Sequence, residues 1–393
     1  MATFRRLGII IALATVALIF SGLYSAKQLS ERIIVLGVGI DYNEEGYDVA
    51  VEVAQSSPQA SGDSSSGNHG GKLIKGSGRT VSLALSDVNE KSGKVLSLGQ
   101  SSVIVLGEEL YTNEDIAHVF SFFSLSDAFK DGTPVAACHG RADELLSVQV
   151  PTDAYVGLVL QNAIQSGGEL INVPYVSVVG FTKQQAMPMK CSFLPVITFV
   201  EEDSPTSKTD YSSKKPSGHF EFNGMAIFRS GKLVYETDKK FKETFTFVTE
   251  EKSFHTFAVE DAMTSPPFAR TVGLGTVSKD VSQSCKLTDN GAVYAISAEI
   301  KVRRLRTDTE GNVSGMKAIS YKEISQDNAV QVQNILHKDL FEMYSLLVET
   351  ECDATDIYGD FFKSYANEWL EYVTLNPDWM KKLKVEINVK VIS

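Results

Sequence analysis

The residues of this 393-residue chain best suited to catalysis or metal binding are its six histidines, four cysteines and several adjacent acid pairs. The histidines stand at positions 69, 118, 139, 219, 255 and 337, and no two are at metal-ligand spacing. His139 follows Cys138, but neighbours on a strand point to opposite faces, so a Cys/His nucleophile pair is not expected there. The cysteines, at 138, 191, 285 and 352, form no C-x-x-C pair or zinc-knuckle spacing. A long-range disulfide stays open without a pairing, beside the ordinary reading of buried free thiols. Glu44-Glu45, Glu108-Glu109 and Glu201-Glu202 have the chemistry of general acids, yet in an acidic chain such pairs are mostly solvated turn residues. Trp369 and Trp379 read as core aromatics rather than a ligand platform. No H-E-x-x-H, G-x-S-x-G or G-x-x-x-x-G-K-[ST] motif occurs. The nearest imitation of a phosphate loop, Lys75–Thr80 (KGSGRT), shows neither a convincing feeding strand nor a terminal lysine. The residues thus predict no catalytic site, no cofactor and no metal.

The elements around these residues are read from periodicity. Ile33–Tyr42 and Tyr47–Gln55 predict a hairpin across a four-residue connection, Asn43 to Gly46, with Val49, Val51 and Val53 alternating. Ser56–Gly78, rich in Ser and Gly, predicts a surface loop. Thr80 is placed to cap a helix carrying Val81, Leu83, Leu85 and Val88. Strands are expected at 101–107 and 133–140, and helices at about 113–123 and 143–148. Polar Glu201–Gly218 reads as a linker or a long loop, and Phe220–Asp238 as a hairpin around Arg229-Ser230-Gly231-Lys232. The segment after it is a strand or a short helix. Val293–Leu305 alternates as a half-buried strand. Ser325 starts a helix to about Glu349, a second helix carries Phe362, Tyr365, Trp369 and Val373, and a strand alternates from Leu383 to Val391.

A net charge of −12 argues against a nucleic-acid partner, since phosphates demand a basic surface. At the N-terminus Arg5 and Arg6 precede a charge-free apolar run, Leu7–Leu23. Its 17 residues sit at the lower limit for crossing the hydrocarbon core, and the arginines would hold the short end in the cytoplasm. An uncleaved anchor is the favoured reading and a cleaved signal peptide the alternative, with bulky Tyr24 unfavourable for cleavage. The expected fold class is α+β: a multi-domain mixed α/β ectodomain, mixed sheets with flanking helices, behind one N-terminal transmembrane helix. The expected divisions are an anchor or signal segment over 1–30, an α/β domain over 31–200, a small β-rich domain over 201–275 and an α+β domain over 276–393.

Four segments, in order, resemble the Ger(x)C family, the C subunits of nutrient germinant receptors of spore-forming bacteria. Glu31–Gln55 is similar to the family's G-x-G-I-D strand and hairpin. Gly78–Leu110 looks like its G-R-(T/S)-V-x-x-A-L helix and following apolar strand. Phe222–Val234 resembles its G-x-A-V-F-(K/R)-x-x-K-L-V hairpin. Asp356–Ser393 is similar to its closing D-(I/V)-(F/Y)-G turn, tryptophan-bearing helix and final strand. The resemblance implies three extracytoplasmic domains at the spore inner membrane and no enzymatic activity. It also implies a complex with two other receptor subunits, one a transporter-like polytopic membrane protein. The motif positions it marks are Asp41, Gly78, Arg79, Thr80, Asp356 and Gly359, each expected mainly to build the fold and secondarily to touch a partner. The family's usual lipid-bearing Gly-Cys is replaced here by Ser21-Gly22-Leu23-Tyr24, so a helical tether would do the work of concentrating the body near its partners. The Ser/Gly-rich insertion at 56–78 also departs from the family pattern. A stand-alone solute- or peptidoglycan-binding ectodomain is the competing expectation.

Overall fold

The computed structural model of the protein describes residues 32–54, 71–126, 129–150, 155–167, 171–202, 216–260, 271–288, 291–305 and 324–392. Arg5, Arg6 and the apolar run behind them lie outside these residues. Among the described residues no helix is long and apolar enough to cross a membrane.

Two sheets organise the chain. The first contains β1 (Arg32–Asn43), β2 (Gly46–Val53), β3 (Lys72–Gly78), the short β4 (Val95–Ser97), β5 (Val103–Leu106), β6 (Val135–Cys138), β7 (Cys191–Glu201), β8 (Gly218–Arg229) and β9 (Lys232–Glu236). Its order is β3-β2-β1-β5-β6-β7-β8-β9, with β4 beside the start of β1. The central β1-β5-β6-β7 stretch is parallel, and antiparallel hairpins flank it on both sides. Helices α1 (Val81–Ser92), α2 (Glu108–Asn113), α3 (Ala117–Leu125) and α6 (Val178–Ala186) cover one face, while α4 (Ala142–Leu145) and α5 (Val156–Gln165) cover the other. Both faces being covered explains why β5 is the unbroken apolar run Val103-Ile104-Val105-Leu106. Ile104 and Leu106 enter one core, Val103 and Val105 the other.

The second sheet runs β10 (Thr256–Glu260), β11 (Thr271–Thr288), β12 (Gly291–Arg304), β13 (Lys384–Ile392). The long helices α8 (Gln326–Glu349) and α9 (Ile357–Leu375) pack on one face of it, and α7 (Lys239–Thr249) lies between the two sheets through Phe245 on one side and Phe247 on the other. Here β12 buries Tyr294, Ile296, Ala298, Ile300 and Val302 and leaves the alternate side chains outward, the signature of a sheet covered on one face.

Several expectations need correction. The first hairpin turns through two residues, since Asn43 already pairs with Gly46. Part of the expected loop is strand: Lys72–Gly78 forms β3, a polar edge strand whose glycines admit α1, because a Cβ at Gly76 would stand 2.5 Å from the Ala84 carbonyl oxygen. Two open readings are decided: the segment expected as strand or short helix is helix α7, and the polar stretch after Glu201 connects neighbouring strands of one sheet, β7 and β8, as a long loop rather than an interdomain linker. The division expected at 201 thus falls inside the first sheet, and β11 runs across the one expected at 276.

Candidate functional site

The family-motif positions gather at two places. The first is one end of the first sheet. Asp41, near the end of β1, is buried, and its carboxylate accepts the N–H groups of Ala142 (2.8 Å) and Asp143 (3.1 Å), which begin α4. Negative charge at a helix N-terminus satisfies donors that the helix cannot. Arg141 closes the group: it lies 3.7 Å from Asp41, 3.3 Å from Asp48 and 3.0 Å from Asp143, and Lys75 reaches Asp143 at 2.7 Å. Burial pushes the Asp41 carboxyl up, against the two backbone donors and Arg141. In Asp143 burial works the same way, but the hydrogen bonds from Arg141 and Lys75 outweigh it and hold the carboxyl below the usual range. A pocket of about 200 Å³ opens here among Asp48, Lys75, Lys91, Arg141 and Asp143. Its cations are already engaged by acids, with Lys91 on Asp87 at 2.7 Å.

Gly78 and Thr80 mark the adjoining junction of β3 and α1. A Cβ on Gly78 would stand 2.6 Å from the Ala84 nitrogen, and Thr80 Oγ1 accepts the Leu83 N–H at 3.2 Å as the helix cap. A strand does feed the Lys75–Thr80 segment, contrary to expectation, but Lys75 turns to Asp143 rather than to the helix end. Arg79, between the two, is exposed and has no partner among the described residues. The turn of the first hairpin packs on it: a Cβ at Gly46 would be 2.9 Å from Arg79 Cα, which sets the exposed Glu44 and Glu45 beside it.

The second place is the α8–α9 turn. Asp356 adopts φ 62° and caps α9 by accepting the Gly359 N–H at 3.2 Å, and a Cβ on Gly359 would collide with that carboxylate at 2.3 Å. Asp353, unmarked in the sequence, does more: its two oxygens accept Ile357 N–H (2.6 Å) and Tyr358 N–H (2.7 Å). Burial pushes its carboxyl up to about 6. Glu52 was also missed. It is 1% exposed and accepts Val156 N–H (2.8 Å) and Gly157 N–H (2.7 Å) at the start of α5. A lone acid inside a valine strand was the available signal.

His139 is the centre of a chain of polar groups that sequence distance hid. Its ring meets Thr198 Oγ1 at 2.9 Å and Glu236 Oε1 at 2.6 Å, and Tyr111 donates its hydroxyl to Glu236 Oε2 at 3.1 Å. Hydroxyl, imidazole and carboxylate in line are the parts of a nucleophilic relay, which also needs donors for a developing oxyanion. The nearby Gly140 N–H is committed to Glu108 Oε2 at 2.7 Å. The chain therefore ties α2, β6, β7 and β9 together. Cys138 Sγ turns away, toward the Gly140 carbonyl. Trp369 is fully buried, stacked on Phe361 at 4.4 Å, with Trp379 edge-on at 4.9 Å. No group of three or more His, Cys, Asp or Glu side chains among the described residues could hold a metal ion.

Residues 25–199 match the spore germination protein N-terminal domain family. The crystal structure of the GerBC protein shares the fold with a TM-score of 0.53 and 16% sequence identity, over 91% of this chain and 97% of that one. No curated protein matches the sequence. Residues 25–199 are thus a spore germination protein N-terminal domain, in line with the Ger(x)C resemblance of the motifs, and the chain as a whole shares the fold of GerBC.

Proposed function

We propose that the protein is a non-catalytic subunit of a germinant receptor complex, held at the spore inner membrane by its N-terminal segment and docked against two other subunits, one of them a polytopic, transporter-like membrane protein. The observation that carries this reading is the division of labour among the motif positions. Asp41, Gly78, Thr80, Asp356 and Gly359 are used up in closing helix starts and tight packings, whereas Arg79 projects from the same motif with no folding partner among the described residues. An exposed motif side chain on a rigid base is what recognition uses. The docking contact is accordingly assigned to Arg79 and the neighbouring Glu44-Glu45 turn. Affinity purification of the full-length protein from detergent-solubilised membranes of sporulating cells tests the reading. A polytopic membrane protein and a second large subunit should follow it, and recovery of the protein alone, while a control complex survives, contradicts it.

A stand-alone ectodomain binding a solute or peptidoglycan fragment is the second reading. It draws on a cavity of about 440 Å³ between β9, α7 and α8, lined by Tyr235, Glu236, Lys240, Phe241, Asp339 and Met343 among others. Its size is that of a small-ligand site, but Lys240, its lysine, is bound by Asp339 at 2.7 Å and Glu342 at 2.8 Å. Titration of the ectodomain with wall fragments and small solutes separates the two readings.

A further inference from the structure

We infer that Cys191 and Cys352 are a disulfide site that staples the start of β7 to the turn between α8 and α9. The two positions are far apart in sequence, yet their surroundings coincide. Cys191 opens β7 opposite Arg229 of β8, and its sulfur lies 3.4 Å from the Met189 carbonyl oxygen and 3.9 Å from that of Glu351, the residue before Cys352. Cys352 Sγ in turn lies 3.4 Å from the carbonyl oxygen of Phe228, the residue before Arg229. Each thiol thus touches the immediate neighbourhood of the other, and the Cys191 thiol is near enough to perturb that of Cys352. Both residues are buried, at 4% and 0% exposure, in the core shared by the first sheet and the C-terminal helices. The other thiols are elsewhere: Cys138 belongs to the opposite core, and Cys285 sits on β11.

The contact with Cys191, and then burial, push the Cys352 thiol up, so in the folded chain it stays protonated and slow to exchange. The bond is therefore made while the chain folds or opens locally, and is sealed afterwards. The co-reactant is a small-molecule or protein disulfide. One cysteine thiolate attacks it, forming a mixed disulfide and releasing one thiol; the second cysteine thiolate then attacks the protein sulfur of that mixed disulfide and releases the second thiol. Two protein thiols lose two electrons and two protons, and one disulfide becomes two thiols. A cross-link closing so long a segment removes much of the unfolded chain's freedom.

The test uses the full-length protein in two arms, incubated natively with oxidised glutathione and refolded in a mixed glutathione buffer. Each sample is alkylated in denaturant and digested without reductant. The expected product joins the Cys191 and Cys352 peptides, leaves Cys138 and Cys285 alkylated, and raises the thermal midpoint by on the order of 5 °C until reductant is added. Cys138→Ser keeps the linked peptide, while Cys191→Ser and Cys352→Ser each abolish it. Four alkylated cysteines in both arms, or a different pairing, overturns the inference, whatever the outcome of the partner experiment.

Discussion

The two sheets solve the same problem with different materials. The first, covered on both faces, receives very short helices at its strand ends, and buried carboxylates fix them: Asp41 holds α4, four residues long, and Glu52 holds α5, ten residues long. The second is covered on one face by α8, 24 residues long, and α9, 19 residues long and kinked at Ala366, whose apolar faces do most of the holding. Short helices bury too little surface to dock by packing alone, so the polar connection at their N-termini has to be strong. Long helices need a cap only as trim. Asp353 is where the second body borrows the device of the first, at the turn that restarts the chain into α9.

Substitutions can break or sharpen that contrast. Glu52→Ala leaves two buried N–H groups without their acceptor and should cost about 3–5 kcal/mol, whereas Ser325→Ala, which removes the cap of α8, should cost about 1 kcal/mol; urea unfolding of both variants measures the gap. Equal costs would erase the distinction between the two bodies.

Asp353 gives the next effect, read in pH. Its folded-state value of about 6 lies above an unfolded value of ~3.9, so the folded chain holds the proton more tightly. The stability it contributes is full below about pH 4 and is lost as pH rises through about 6. The loss amounts to about 3 kcal/mol at most, from ~1.4 kcal/mol for each pH step. Asp353→Asn should flatten that part of the stability profile, and an unchanged profile would show that Asp353 is ionised in the fold at no cost.

Gly78→Val should cost about 2 kcal/mol by forcing β3 from α1, because the new side chain meets backbone at 2.6–2.8 Å. Thr80→Ala should cost about 1 kcal/mol through loss of the cap. Arg79→Glu, next to both, should change stability by less than about 0.5 kcal/mol, as an exposed side chain outside the folding network. Thermal and urea midpoints order the three.

The same contrast decides what could be read from sequence. In the second body, period-two alternation in β12 and β13 and the helical stripe Val332, Leu336, Leu340, Met343, Leu347 report directly which face is covered, and both strands and both helices were legible. In the first body, β5 and β6 face two cores and were legible as short apolar runs without alternation, whereas α5 and α6 left too little periodic signal to be placed. Strand β3 was hidden because its glycines serve contact with α1 rather than a core. Of the motif positions marked in the sequence, Asp41, Thr80 and Asp356 cap helices. Glu52, Asp353 and the His139 chain were not, since their partners lie across the fold or in a local turn that only the backbone reveals.

The most direct test of the account sets Arg79→Glu against Thr80→Ala in the full-length protein, measuring for each the thermal midpoint and the recovery of membrane partners from solubilised spore membranes. The account expects Arg79→Glu to keep its midpoint and lose the partners, and Thr80→Ala to melt lower yet retain them below its midpoint. Full partner recovery by Arg79→Glu would contradict the assignment of the docking contact to the exposed motif residue.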